Sequence, residues 1–361
     1  MDSHIRGWLC ALVLGYGACR AHAVEPYPCI PPDTIFAMKI RPRQILTSAL
    51  VKDLGWDELF KTTLAAVGPV QDFMDTAGLR IDRDLESILW CMPSSPLVDD
   101  PDAPPMAIDP ESGEIIQPDR PAGEKPDKLW LVVVQGKFSP KKITKALENH
   151  GKSAGAPIRK LKGEDATLFE MKSPLGPIFL GLEGKGRIIA SNQLERLKRC
   201  LAGVYDKPAS GQFRSGMESL TDKESLWIVQ TVEGDFKKLI ESSDDVIRKA
   251  KCFQIFVNIT DGIQGKLTIT TDALRHAETL KTGVATVLAG LEETWAEIMK
   301  NLNQEFEDPT DKAGLTVEAG IAYLAIKQGK LEAKGNDMVL KVEANRKSLD
   351  PLLKALGLSG Q

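Results

Sequence analysis

Histidine is almost missing from this chain, and several chemistries go with it. Only four occur in 361 residues. His4 and His22 lie in an N-terminal stretch with its own purpose, which leaves His150 and His276. Neither belongs to an H-E-x-x-H motif and no C-x-x-C is present, so the usual zinc-site patterns are excluded. A serine or cysteine triad would have to use one of the same two residues. Aromatic residues make up 6% of the chain, a poor supply for the stacking surfaces of sugar-binding clefts. There is no basic tail and no Lys/Arg cluster interleaved with aromatics, which argues against nucleic acid as a partner. Beyond the N-terminus, no segment is apolar over the ~20 residues that a membrane span needs.

Two short matches to catalytic motifs fail on context. Gly151-Lys152-Ser153-Ala154-Gly155 fits G-x-S-x-G, but a nucleophile elbow needs a strand before the serine and a helix after it. Here the helix is expected before Ser153 and the strand after, and Gly151 reads as that helix's C-cap. The overlapping run to Ser153 has Ala146 where a phosphate loop has its first glycine. Asn258-Ile259-Thr260 fits a glycosylation sequon but falls in an expected strand. No cofactor is expected from these patterns. Paired Asp and Glu carboxylates are too numerous to exclude, so a hydrolase built on two of them stays open.

What is present begins with a leader. Arg6 precedes an apolar stretch from Gly7 to Ala18, and Ala21-His22-Ala23 has the small-x-small form of a cleavage site. The apolar part is too short to span a bilayer, so residues 1–23 read as a secretory signal peptide cleaved after Ala23. A lipid anchor at Cys19 is the weaker alternative, because Tyr16 stands where a lipobox has an aliphatic residue. The expected location is therefore exported, either periplasmic or secreted. Of six cysteines, Cys29, Cys91, Cys200 and Cys252 lie beyond the leader. An even number in an exported chain permits disulfides, with three connectivities that spacing cannot choose between.

Periodicity predicts an α+β fold in two similar halves, 24–205 and 206–361. The first half reads as strand 34–40, helices over 42–77, strands 85–92 and 129–136, helix 140–150, short strands near 166–171, 177–182 and 187–190, and helix 192–202. The second reads as strand 225–231, helix 235–250, strands 251–259 and 263–271, a long helix 272–303, a hairpin turning at Gly335-Asn336-Asp337, and a helix near 349–356. Each half opens β-α-β-β-α-β, the order of a ferredoxin-like unit, with helices expected on one face of an antiparallel sheet. Ser139 and Pro140 suit a helix start, Asn192 and Glu195 form an N-x-x-E capping box, and Gly203 closes that helix. The long helix carries one apolar stripe, Ala277, Leu280, Val284, Val287, Leu291, Trp295, Ile298 and Leu302, suited to covering the sheet. Trp56, Trp90, Trp130, Trp227 and Trp295 are all expected in the core.

One stretch stands apart. Residues 93–127 hold nine prolines and nine acidic residues against Arg120 and Lys125, with no aromatic side chain. In the second half the equivalent joint is Asp261-Gly262, a two-residue hairpin signal. The long version therefore reads as an insertion at a hairpin tip, too polar to order itself. Asp99, Asp100, Asp102, Asp109 and Glu111 within it are candidates for docking a partner. They do not match a calcium-loop spacing, and the prolines oppose wrapping around a cation. Beyond the leader the chain holds 44 basic and 49 acidic residues, so the insertion alone makes the protein acidic.

The stretches 31–46, 82–95, 129–147 and 180–203, taken with the leader, resemble a group of exported proteins of unknown activity from planctomycete bacteria. In that group a strand-to-helix turn G-K-F-x-P recurs, as Gly136-Lys137-Phe138-Ser139-Pro140 does here. The resemblance implies export and a repeated α+β build, and carries over no catalytic residue. The functional expectation is a non-enzymatic extracytoplasmic binding or scaffold protein whose partner is a protein or another envelope component. The alternatives are an exported hydrolase using paired carboxylates, and a small-molecule or lipid carrier with its ligand between the halves.

Overall fold

A computed structural model of the chain describes residues 29–53, 55, 57, 68–93, 107–108, 115–116, 129–153, 158–161, 166–173, 176–184, 186–203, 211–218, 220, 223–241, 247–302 and 323–355. The expected signal peptide 1–23, with Cys19 and Ala23, lies outside these residues. The boundary expected at 205/206 does too.

The first part of the chain runs β1 (Thr34–Ile40), α1 (Pro42–Leu46), α2 (Ala49–Asp53), α3 (Gly68–Ala77), α4 (Ile81–Asp84), β2 (Leu85–Pro93), β3 (Ala107–Ile108), β4 (Ile115–Ile116), β5 (Leu131–Gly136) and α5 (Pro140–Ser153). Then come β6 (Ile158–Leu161), β7 (Thr167–Ser173), β8 (Gly176–Glu183), β9 (Arg187–Ser191), α6 (Leu194–Ala202) and α7 (Gly211–Glu218). The rest is β10 (Leu226–Thr231), α8 (Gly234–Glu241), a 3₁₀ turn at Ile247–Lys249, β11 (Ala250–Ile259), β12 (Gly262–Thr271), α9 (Leu274–Leu302), β13 (Gly329–Lys334), β14 (Asp337–Asn345) and α10 (Arg346–Ala355).

Twelve strands make one sheet, ordered β13-β14-β12-β11-β10-β1-β2-β5-β9-β8-β7-β6, and β3 pairs with β4 apart from it. Every ladder is antiparallel. At the seam, Phe36 lies opposite Gln230 and Ile40 opposite Leu226. Outward from it the sheet runs β1-β2-β5-β9 on one side and β10-β11-β12-β14 on the other; after its helix the chain reaches β9 through β6, β7 and β8, and β14 through β13.

The sheet corrects two finer expectations. A ferredoxin-like unit places its third strand between the first and second. Here the second strand sits directly beside the first, β2 by β1 and β11 by β10. Between β10 and β11 the reason is length. The eight residues of α8 cover roughly 12 Å, while the ten of β11 cover roughly 33 Å. So short a helix cannot carry the chain across the sheet, and β11 starts beside the end of β10, Cys252 opposite Thr231.

Helices also cover both faces, not one. On the first face, α6 and α7 bring Leu197, Cys200 and Phe213 onto Ala37, Leu89, Leu131, Val133, Ile189, Trp227 and Val229. On the second face, α3 and α5 cover the β7–β9 end through Ala77, Ile143, Ala146 and Leu147 on Phe169 and Leu182. There too, α9 covers the β12–β13 end, with Ala277, Leu280 and Val284 on Leu267, Ile269, Leu331 and Met338. Central strands need both covers. All six residues of β10, Leu226–Thr231, are buried, as expected for a near-continuous apolar run.

Smaller departures follow from local contacts. Helix α5 runs through Gly151 to Ser153, so Gly151 is no cap. Asn192 does not cap α6: its Oδ1 accepts the Trp130 N–H at 3.2 Å, tying the helix entry to β5. Gly203 does close α6 in the left-handed region at φ 65°. Gly262 begins β12 with an ordinary φ, and a Cβ there would lie 2.5 Å from the Ala344 carbonyl oxygen. Close approach, not turn conformation, calls for that glycine. The stripe of α9 leaves the sheet at Val287, which is 60% exposed, and the side chains of Trp295, Ile298 and Leu302 lie outside the described residues, as does Trp56. Trp227 is fully buried, but Trp90 is 38% exposed, edge-on to Phe36 at 6.0 Å between centroids.

Candidate functional site

The four cysteines come together unevenly. All are free and buried. Cys29, on the strap before β1, Cys91, on β2, and Cys200, on α6, share one core cluster on the first face. Cys252 enters that cluster from its far side, where a Cβ on Gly216 of α7 would lie 3.5 Å from its sulfur. Burial pushes the Cys252 thiol up to about 12 and holds Cys91 higher still.

Cys29 differs. Its side chain is hydrogen-bonded to Cys200, and Arg187 donates from Nη1 to its Sγ at 3.1 Å. The Cys200 bond, with the guanidinium behind it, holds the Cys29 thiol below its usual range against the effect of burial. Cys200 is the proton donor of the pair and its thiol is raised, first by that bond and then by burial. Arg187 is itself fixed by Glu183 across the β8–β9 hairpin.

Beside this cluster is a shallow cleft of about 350 Å³ at the entry to α6, lined by Pro32, Asp33, Gln193, Glu195, Arg196 and Arg199. Its charges largely engage one another or their neighbours. Arg196 donates two parallel bonds to Asp33, both 2.9 Å, and Lys198 holds Glu195 at 2.7 Å. The Lys198 bond keeps the Glu195 carboxyl below its ordinary range. A general acid needs the opposite shift. Asp84, Asp272 and Glu332 are held low as well, by Arg83, His276 and Lys341 respectively.

The other motifs of the sequence resolve into structure. Ser153 sits in the last turn of α5. His276 bonds through Nδ1 to Asp272, at the entry to α9. Among the described residues no group of three metal-ligating side chains occurs, and no helix is long and apolar enough to cross a membrane. Asp99, Asp100, Asp102, Asp109 and Glu111 lie outside the described residues. Their segment joins neighbouring strands, with Cys91 of β2 opposite Leu131 of β5, and contains the small ladder of Ala107 with Ile116 and Ile108 with Ile115. β1 and β10 are bonded strand to strand, so a ligand between the two halves would have to lie on a sheet face.

Sequence reasoning missed a charged surface. On the first face of β13, β14, β12 and β11, Lys330 lies opposite Lys341, Lys341 opposite Lys266, and Lys266 opposite Phe256. Lys266 stands 5.5 Å over the Phe256 ring, and Lys341 bonds diagonally to Glu332 at 2.8 Å. Alternation along "GKLEAK" was the available signal, but only the register puts the lysines in one row. No protein-family model, curated protein or solved structure matches the chain.

Proposed function

We propose that the chain is a non-enzymatic extracytoplasmic binding or scaffold protein, which docks an acidic protein segment on the open face of β12, β14 and β13. The observation that carries this reading is the row Lys330–Lys341–Lys266. Like charges directly opposite each other weaken a sheet, so three in line call for a counter-charge. Part of it is internal. Of the acids on this face, Glu332 is taken up by Lys341, Asp337 accepts the Thr270 hydroxyl at 2.7 Å, and Glu343 lies one pleat beyond Lys341, opposite Gln264. Among the described residues no helix packs on this face beyond β11, and the strands space the cations at about 4.8 Å, in reach of carboxylates at every second residue of an extended segment, about 6.7 Å apart. Export rests on the leader, and the build we propose is two similar halves joined at β1 and β10.

A fluorescent poly-glutamate peptide titrated into the full chain tests this. The wild type is expected to bind with an affinity that falls as salt rises. The triple variant Lys266→Gln, Lys330→Gln, Lys341→Gln is expected to lose most of that affinity. Equal binding by both proteins would sink the docking face. Removing residues 94–127 is expected to leave binding intact. If binding disappears with them, that segment and not the sheet is the docking element.

A further inference from the structure

The four thiols of this core are not equivalent. Cys91 lies inside the sheet, fully buried on β2. Cys29 and Cys200 sit on two pieces that lie over the sheet, the strap of residues 29–33 before β1 and α6, in one buried cluster, within side-chain hydrogen-bonding reach of each other. The same two pieces are joined a second time by the bidentate Asp33–Arg196 pair. Only Cys29 receives a guanidinium N–H, at 3.1 Å from Arg187.

We infer that Cys29 and Cys200 form a redox-active pair which closes to a disulfide and locks the strap onto α6, with Cys29 as the attacking thiolate and Arg187 as its positioning residue. The oxidant is a disulfide, either a small molecule such as glutathione disulfide or the active-site disulfide of an oxidoreductase. The Cys29 thiolate attacks one sulfur of that disulfide, and the other leaves as a thiolate. The Cys200 thiol then gives its proton to solvent base and attacks the Cys29 sulfur, displacing the second thiolate. Two cysteine thiols are oxidised by two electrons, and one external disulfide is reduced to two thiols.

The geometry sets the order of attack. A thiolate beside a cation is the nucleophile in such exchange, and Cys200, held protonated and fully buried, is suited to the resolving step. Cys29 is also nearly buried, so attack requires the strap to lift. Closure then fixes it down. This inference is independent of the lysine face.

Peptide mapping of the full chain decides it. The protein is incubated with glutathione disulfide, quenched in acid, alkylated under denaturing conditions and digested without reductant. A linked peptide pair joining Cys29 to Cys200 is expected, with Cys91 and Cys252 alkylated. A link through Cys91, or alkylation of all four thiols, overturns the pairing. In Cys200→Ala the mixed disulfide on Cys29 should accumulate instead of resolving. Arg187→Gln should slow alkylation of Cys29 about tenfold at neutral pH and move the midpoint of its pH profile upward, while Arg187→Lys restores part of the rate. An unchanged profile in Arg187→Gln removes the arginine from the mechanism, whatever the pairing.

Discussion

β9 and β14 hold the same place outward from the seam of the sheet, though three strands precede β9 after its helix and one precedes β14. Even their entries agree: the Gly136 N–H donates to the Gly186 carbonyl at 3.0 Å, and the Thr271 N–H to the Asn336 carbonyl at 2.8 Å. Their first faces differ. Beyond β1 that face carries α6, the strap and the thiol cluster. Beyond β11 no described helix lies on it, and lysine and glutamate alternate along β13. On one antiparallel sheet, then, the cover over the first face decides whether a side holds buried thiols or displays charge.

The largest effect should come from emptying the covered side. Leu197 of α6 is fully buried against the sheet, and Leu197→Ala is expected to cost about 2–5 kcal/mol, read from urea unfolding. A loss under about 1 kcal/mol would mean that α6 is not packed as described and would erase the contrast between the sides.

Next come the matched entries. A Cβ on Gly136 would overlap the Asp84 carbonyl, and the Phe138 ring also crowds it. Gly136→Ala is expected to cost about 1–3 kcal/mol through forced displacement. This gives the glycine of the Gly136–Pro140 turn a packing reason. Thr271, at the corresponding place, already bears a side chain, whose hydroxyl donates to the Ala273 and Asn336 carbonyls, both at 2.9 Å. Thr271→Ala should cost only about 1 kcal/mol. If the two costs came out equal, the correspondence of the two positions would lose its meaning.

How much of this was legible beforehand depended on the range of the contacts involved. Helices α5, α6 and α9 and the β13–β14 hairpin followed from periodicity, Gly203 and Gly335. Strand order did not, because it depends on which edges α8 and the helices before β2 return the chain to. The unbroken apolar runs of β5 and β10 were a signal for two covered faces. The Cys29–Cys200 contact joins residues far apart in sequence, and spacing alone cannot reveal it. The lysine row needed a register, since a one-residue slip would send Lys341 to the other face.

Acid should act on the covered side's ion pairs at a lower pH than on ordinary carboxylates. Asp84 accepts bidentate bonds from Arg83, both 2.7 Å, and the Arg80 N–H at 2.9 Å. The Arg83 bonds hold its carboxyl below the usual range. A depressed folded pKa contributes stability that is full above the unfolded value of about 3.9 and is lost as pH falls through the folded value. Asp84→Asn should therefore cost about 1 kcal/mol at neutral pH, and the two proteins should converge in stability below that window. A constant gap down to the lowest pH would assign the loss to packing.

The smallest stability effect belongs to the open face. Lys341 and Glu332 are about half exposed, and pairs of this kind add little to folding because water and salt already screen them. Lys341→Gln is expected to leave the unfolding midpoint unchanged. It should still weaken poly-glutamate binding, since it removes the middle cation of the row. Glu332→Gln should do the reverse and strengthen binding, because it frees Lys341 for the peptide. This pair of opposite shifts at constant stability separates a docking surface from a merely solvated one. If both variants bind as the wild type does, the lysines serve only to keep an edge strand from pairing with another chain.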